Sequence, residues 1–335
     1  MIGGLLATYV HDLSPILVEL GPLKLRWYGL SYVAGFLAAY LILQRLARRD
    51  LWIVPEEKVS DVVTYSAMFG VFLGGRIGYV LLYLLPKEGI GLLFRDPLVI
   101  IRVWDGGMAS HGGIMGIFFF LLWYARRHQL SWPGLGDGIC VVAPLGIFFG
   151  RMANFVNGEL YGTKTDSSLG VIFPDVLREP GNRDALDAVV YSAAMVDDRI
   201  GELMAQPEAN TWSIFPRVVE AARSNEALQD IFRAHVEPRH ASQLYEGILE
   251  GLVLFVILFL VRIKFPRLGY GILTGLFFVI YALFRISVEA FREPDAALVL
   301  GITKGQFYSI FMILIGAAFL RYGLKRNPEG SLPGA

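Results

Sequence analysis

Long apolar runs alternate along this chain with short polar connections, and one long polar stretch interrupts them. A helix needs about 20 predominantly apolar residues to cross the hydrocarbon core of a bilayer. By that measure the pattern predicts about seven spans. They run from near Trp27 to Leu46, Val62 to Leu85, His111 to Tyr124, Gly138 to Phe155, Leu244 to Val261, Tyr270 to Phe291 and Phe307 to Leu320. The third is short, and the run Leu98 to Trp104 ahead of it is either re-entrant or interfacial, so the count is fixed to within one. The expected fold class is an all-α polytopic membrane protein. Residues 1–162 carry spans one to four, 163–238 form a small extracytoplasmic head, 239–326 carry spans five to seven, and 327–335 form a Pro- and Gly-rich, disordered tail. Within the head, Ile214, Val218, Ala221, Leu228 and Ile231 recur at helical spacing between Trp212 and Val236.

Charge gives the sidedness. Arg45, Arg48, Arg49 and Lys58 follow span one, Arg126 and Arg127 follow span three, Arg262, Lys264 and Arg267 follow span five, and Arg321, Lys325 and Arg326 follow span seven. Short loops rich in Lys and Arg stay in the cytoplasm, so the N-terminus is expected outside and the C-terminus inside. The 335 residues are 55% hydrophobic and 18% charged, and the formal net charge is zero without a basic block, which excludes nucleic acid as a partner. One cysteine, Cys140, leaves no internal disulfide or multi-cysteine metal site, and no metal or cofactor is expected. The N-terminus lacks the basic region, apolar core and cleavage site of a removable signal peptide.

The unusual polar residues sit at one depth. Tyr28 begins span one, Arg76 lies in the outer half of span two, His111 begins span three, Arg151 and Asn154 end span four, and Arg285 and Glu289 end span six. In the expected topology all of these ends are outer ends. Arg151 and Asn154 are three apart, and Arg285, Glu289 and Arg292 fall at i, i+4 and i+7, so each set shares a helix face. A carboxylate flanked by two guanidiniums orients them and leaves net positive charge for an anionic ligand. The alternative is that such arginines snorkel to lipid headgroups. Gly74, Gly75 and Gly78 bracket Arg76, and Gly106, Gly107, Gly112, Gly113 and Gly116 bracket His111. Gly78 and Gly116 suit close helix packing, and the pair after His111 suits a backbone turn or a ligand's approach. Converging charges at one end, rather than at the midplane, set the pattern apart from a transporter for an anionic solute.

The run Gly150-Arg151-Met152-Ala153-Asn154-Phe155-Val156-Asn157-Gly158-Glu159-Leu160-Tyr161-Gly162 resembles the signature of the bacterial prolipoprotein diacylglyceryl transferases. Arg26-Trp27-Tyr28-Gly29, Ser110-His111-Gly112-Gly113 and the run from Phe284 to Arg292 match that family in order. Arg239-His240-Ala241-Ser242-Gln243-Leu244-Tyr245-Glu246 does so too, with Ala241 where a proline is usual. The head, 163–238, looks longer than is common there. The resemblance implies transfer of the diacylglyceryl group of phosphatidylglycerol to the lipobox cysteine thiol of a prolipoprotein signal peptide, forming a thioether and releasing glycerol phosphate. It implies a multi-pass protein of the bacterial inner membrane, in contact with membrane lipids, with its site on the extracytoplasmic side. The converging residues suggest a single site, which is compatible with a monomer. The candidate catalytic residues are His111, Arg151, Asn154, Arg285 and Tyr28. The candidate substrate-binding residues are Arg151, Arg285, Glu159, Gly162, Glu289, Arg292, Arg76 and Arg239. Arg151 and Arg285 are expected to stabilise the departing phosphate, Asn154 and Tyr28 to hydrogen-bond it, Glu159 and Glu289 to orient arginines, and Gly162 to keep backbone close to the ligand. Either His111 or the arginine field favours the thiolate.

Overall fold

The computed structural model describes residues 8–21, 23–103, 106–293, 298 and 301–326, so the tail expected to be disordered lies outside the described residues. Six helices among them are long and apolar enough to cross a membrane: α1 (Trp27–Ala47), α2 (Glu56–Glu88), α4 (Trp132–Val156), α9 (Ser242–Lys264), α10 (Ile272–Phe291) and α11 (Lys304–Arg326). The third expected span forms as helix α3 (Ser110–Arg127). It opens on Ser110-His111-Gly112-Gly113 and closes on Arg126-Arg127, which makes it less apolar than the other six. Four further helices, α5 (Arg183–Val196), α6 (Asp198–Met204), α7 (Thr211–Ala222) and α8 (Glu226–His235), lie within 163–238, the stretch called the head.

The helical fold fits the all-α expectation, and two short strand pairs accompany the helices. Tyr9–Val10 (β1) pairs in parallel with Val171–Ile172 (β4), and Ile16–Leu20 (β2) pairs antiparallel with Leu23–Arg26 (β3). These short stretches have β-branched and apolar residues but too few positions for an amphipathic helix.

The chain divides into two compact units whose boundaries fall inside helices. The first comprises residues through Tyr32, Ile147–Glu250 and Leu283–Ser309. Its core is built by the head: Phe173, Phe215, Phe232, Leu186 and Leu228 are fully buried. In α5 the buried positions Leu186, Val189, Val190 and Ala193 fall at i, i+3, i+4 and i+7, one helix face. The expected periodicity from Trp212 onward is divided between α7 and α8. The break comes at Asn225, whose side chain accepts from Ala227 N–H (3.1 Å) and so caps α8, as Asn210 caps α7 through Ser213 N–H (2.9 Å).

The second unit comprises Val33–Gly146, Gly251–Ala282 and the chain from Ile310 onward. Here α2 and α3 meet along glycines. A Cβ built on Gly78 would lie 2.5 Å from Gly112 Cα, and one on Gly74 would lie 2.9 Å from Gly116 Cα. Gly112 therefore serves helix packing, not a ligand's approach. Asp137 of α4 is buried and accepts from Gly271 N–H, Thr274 N–H and Thr274 Oγ1–H, each at 2.8 Å. A carboxylate from one helix thus satisfies the free N–H groups that begin another.

Candidate active site

The polar residues that matter most come together in the first unit around one carboxylate. Helix α9 widens into π-helical turns over Gly247–Val253, directly after Glu246. Gly247 lets this segment meet α4 closely: a Cβ there would sit 2.7 Å from Met152 Cε and 3.2 Å from Arg151 Cβ. That approach brings Glu246, 0% exposed, against Arg151. Arg151 Nη2 lies 2.5 Å from Glu246 Oε2, Arg285 Nη1 lies 3.2 Å from the same oxygen, and Arg292 Nη1 lies 2.5 Å from Oε1. Glu250, one turn on and also fully buried, stands 3.8 Å from Arg285 Nη1.

The end of α10 completes the network. Arg285 Nη2 is 3.1 Å from Glu289 Oε2, and Arg292 Nε is 3.9 Å from it. The last turn, Glu289–Phe291, tightens to a 3₁₀ helix. Glu289 in turn rests on the first turn of α11: a Cβ on Gly305 would come within 2.6 Å of both carboxylate oxygens. A negative side chain at that helix N-terminus is favoured by the helix dipole. Among the described residues, three arginines and three glutamates thus form a cluster of zero formal charge. The expectation of net positive charge around Glu289 is corrected, because α9 contributes two carboxylates.

Charge is nonetheless unevenly committed. The Arg285 side chain is 15% exposed and meets three carboxylates, whereas Arg151 is 21% exposed and, among the described residues, meets only Glu246. A guanidinium has five N–H donors, so Arg151 retains most of its capacity for an anion.

The loop after α4 is held by α9 and α10. Asn154 Nδ2–H and Asn157 Nδ2–H both donate to Glu159 Oε1 (2.9 and 3.2 Å), so Glu159 orients two amides rather than the expected arginines. Leu160 adopts a φ of +58°, a strained value for a branched side chain. It is pinned there by Ser242 Oγ–H donating to Leu160 O (3.2 Å) and Gln243 Nε2–H donating to Glu159 O (2.6 Å). Gly162 donates to His240 O (2.8 Å), and a Cβ on it would collide with Phe291 O. The close approach that Gly162 permits is to the chain's own backbone. Arg239 is buried, donates to Gly162 O (3.1 Å), pairs with Glu293 and lies over the Tyr161 ring, so it fastens the same loop. Burial beside Glu179 raises the Tyr161 phenol above its ordinary range.

Three sequence candidates stand outside this network among the described residues. Tyr28 packs its ring edge on Tyr32 (5.4 Å) at the start of α1. Arg76, in the second unit, is buried and donates to Val99 O (2.9 Å), Gly106 O and Gly107 O (3.4 Å). Its guanidinium organises the segment leading into α3. His111 is exposed on the first turn of α3, also in the second unit.

The family described as prolipoprotein diacylglyceryl transferase matches residues 15–322. The chain belongs to that family. Its relatives in this transferase family include proteins named phosphatidylglycerol–prolipoprotein diacylglyceryl transferase. The one from Cronobacter sakazakii is 39% identical over 331 residues, covering 97% of this chain and 98% of the relative. The one from Stenotrophomonas maltophilia is 38% identical over 316 residues, 93% and 92% of the two chains, and the one from Sodalis glossinidius 39% over 324 residues, 95% and 96%. Each of these alignments runs nearly end to end through both chains.

The sequence reading includes Glu246 in a matching run without giving it a role, and passes over Glu250, Gly247 and Gly305. Two of these carried a signal, since Glu246 and Glu250 stand inside the fifth apolar run, where an ionisable residue calls for a partner. Gly305 carried none, because its value lies in an approach between residues distant in sequence.

Proposed function

We propose that this chain transfers the diacylglyceryl group of phosphatidylglycerol to the lipobox cysteine thiol of a prolipoprotein. The observation that carries the site assignment is the convergence of Arg151, Arg285 and Arg292 on Glu246. In the reaction the cysteine sulfur attacks the glyceryl carbon that bears the phosphate ester. The new C–S bond forms as the C–O bond breaks, glycerol phosphate leaves, and the thiol proton passes to a base.

Negative charge grows on the phosphate as it departs, and fixed guanidiniums in a water-poor site stabilise it. Arg151 is the direct phosphate ligand, because it is the arginine with donors to spare. Arg285, Arg292 and Glu289 hold the field in place through Glu246. Asn154, kept in orientation by Glu159, and Tyr28 donate to the headgroup or the departing phosphate. A free thiol has a pKa of about 8.5 and reacts as its thiolate, so a base or a positive field is needed. His111 is the candidate base, and the arginine field is the alternative.

The topology proposed with this reading counts α3 as a seventh span, with the N-terminus outside. The site then faces the extracytoplasmic side of the bacterial cytoplasmic membrane, and one chain suffices. The test is to mix purified protein with phosphatidylglycerol and a lipobox peptide and analyse the peptide by mass spectrometry. A diacylglyceryl thioether that is absent from the Cys-to-Ser peptide supports the transfer. Unmodified peptide from folded, lipid-loaded protein refutes it.

A further inference from the structure

In the first unit, β2 and β3 form a hairpin that the proposed chemistry does not use. Gly21 turns it with a φ of +60°, and Trp27 N–H donates to Pro15 O (3.2 Å) at its open end. The register pairs Val18 with Leu25, Glu19 with Lys24 and Leu20 with Leu23. Directly opposed residues share a face of the ribbon, and successive residues alternate between faces. Val18, Leu20 and Leu25 therefore lie on one face and Glu19 and Lys24 on the other, where they form an ion pair of 3.0 Å. A two-stranded hairpin is at best marginally stable alone in water and ordinarily packs its apolar face against something. Here Leu20 is 64% exposed, and Val18 and Leu25 are 42% and 45% exposed.

Continuity of the chain identifies what covers that face. Strand β3 ends at Arg26 and α1 begins at Trp27 with no connecting residue. Since α1 is long and apolar enough to cross a membrane, the hairpin is tethered where that helix meets the headgroups. Trp27 and Tyr28, the first two helical residues, are exposed aromatics of the kind that settle at this depth. We infer that the hairpin is an interfacial anchor: Val18, Leu20 and Leu25 enter the boundary between headgroups and acyl chains, and Glu19 and Lys24 face water. Interfacial elements bind by this division of an apolar face from a charged one. The anchor would set the depth of the first turn of α1.

The test uses full-length protein with Cys140→Ala, a nitroxide on either Leu20→Cys or Glu19→Cys, and reconstitution in phosphatidylglycerol-containing nanodiscs. Collision rates with oxygen, which concentrates in lipid, and with a water-soluble nickel chelate are measured by electron paramagnetic resonance. The Leu20 position is expected to favour oxygen and the Glu19 position the chelate, so that the ratio inverts between adjacent residues. Chelate access at both positions overturns the anchor. So does a Leu20 label shielded from both quenchers, which means that protein covers the face. Leu25→Cys, on the same face, repeats the measurement should the Leu20 label disturb folding. The readout is independent of transferase activity, so it stands or falls separately from the proposed function.

Discussion

Glu246 stands at the centre of the ion cluster, since three guanidiniums, one each from α4, α10 and the residue just after α10, meet its carboxylate. Removing one member of a buried ion network leaves uncompensated charge at a cost of about 3–5 kcal/mol. Glu246→Gln is therefore expected to lower the unfolding midpoint in detergent and to abolish measurable transfer; a variant as stable and active as the parent would remove Glu246 from the account. Gly305 gives a sharper test, because an added methyl there must displace the Glu289 carboxylate. Gly305→Ala is expected to slow transfer strongly in the parent and to have little further effect in a Glu289→Asp background, where the carboxylate is already withdrawn. Additive losses in that double-mutant cycle would mean that the two do not act through each other. Away from the ion cluster, His11 is buried between Phe155 and Phe173, and burial lowers its pKa below the ordinary histidine value. Such a histidine is neutral in the fold and protonates in the unfolded chain below about pH 6.5. Its contribution is thus full above that pH and lost as pH falls toward the lower folded-state value, so thermal stability should drop as pH falls below about 6.5. His11→Phe should flatten that part of the profile.

At the scale of elements, the apolar periods place the long helices well, because about 20 consecutive apolar residues have few other uses. What the periods do not carry is contact between helices. The π-helical widening after Glu246 and the glycine seam between α2 and α3 depend on close approach between distant segments. The β2–β3 hairpin escapes the reading because its alternation spans only a few residues, whereas α5 was open to it through Leu186, Val189, Val190 and Ala193. Asp137 illustrates a helix set in place by a neighbour, since its carboxylate takes up three donors at the start of α10. Asp137→Ala leaves those donors without their acceptor at a cost of about 1–3 kcal/mol. Lower stability with unchanged transfer per folded molecule is expected; a selective loss of turnover at full stability would assign Asp137 to the chemistry.

For the whole molecule, the site is legible in the sequence where a lone charge stands in an apolar run, as with Arg151 and Arg285. The neutrality of the cluster is not legible from the helix ends alone, because the balancing carboxylates Glu246 and Glu250 come from a different run. The carboxylates balance the arginines, and among the described residues Arg151 is the member paired with a single carboxylate, as the proposed phosphate contact requires. The most direct measurement is therefore the rate of thioether formation by Arg151→Ala, with phosphatidylglycerol binding and unfolding followed in parallel. The variant is expected to fold, to bind the lipid more weakly and to transfer about 10²–10³-fold more slowly, as when a fixed stabilising donor is removed from a reacting anion. A folded Arg151→Ala protein that forms thioether at the parent rate would contradict the proposed phosphate contact.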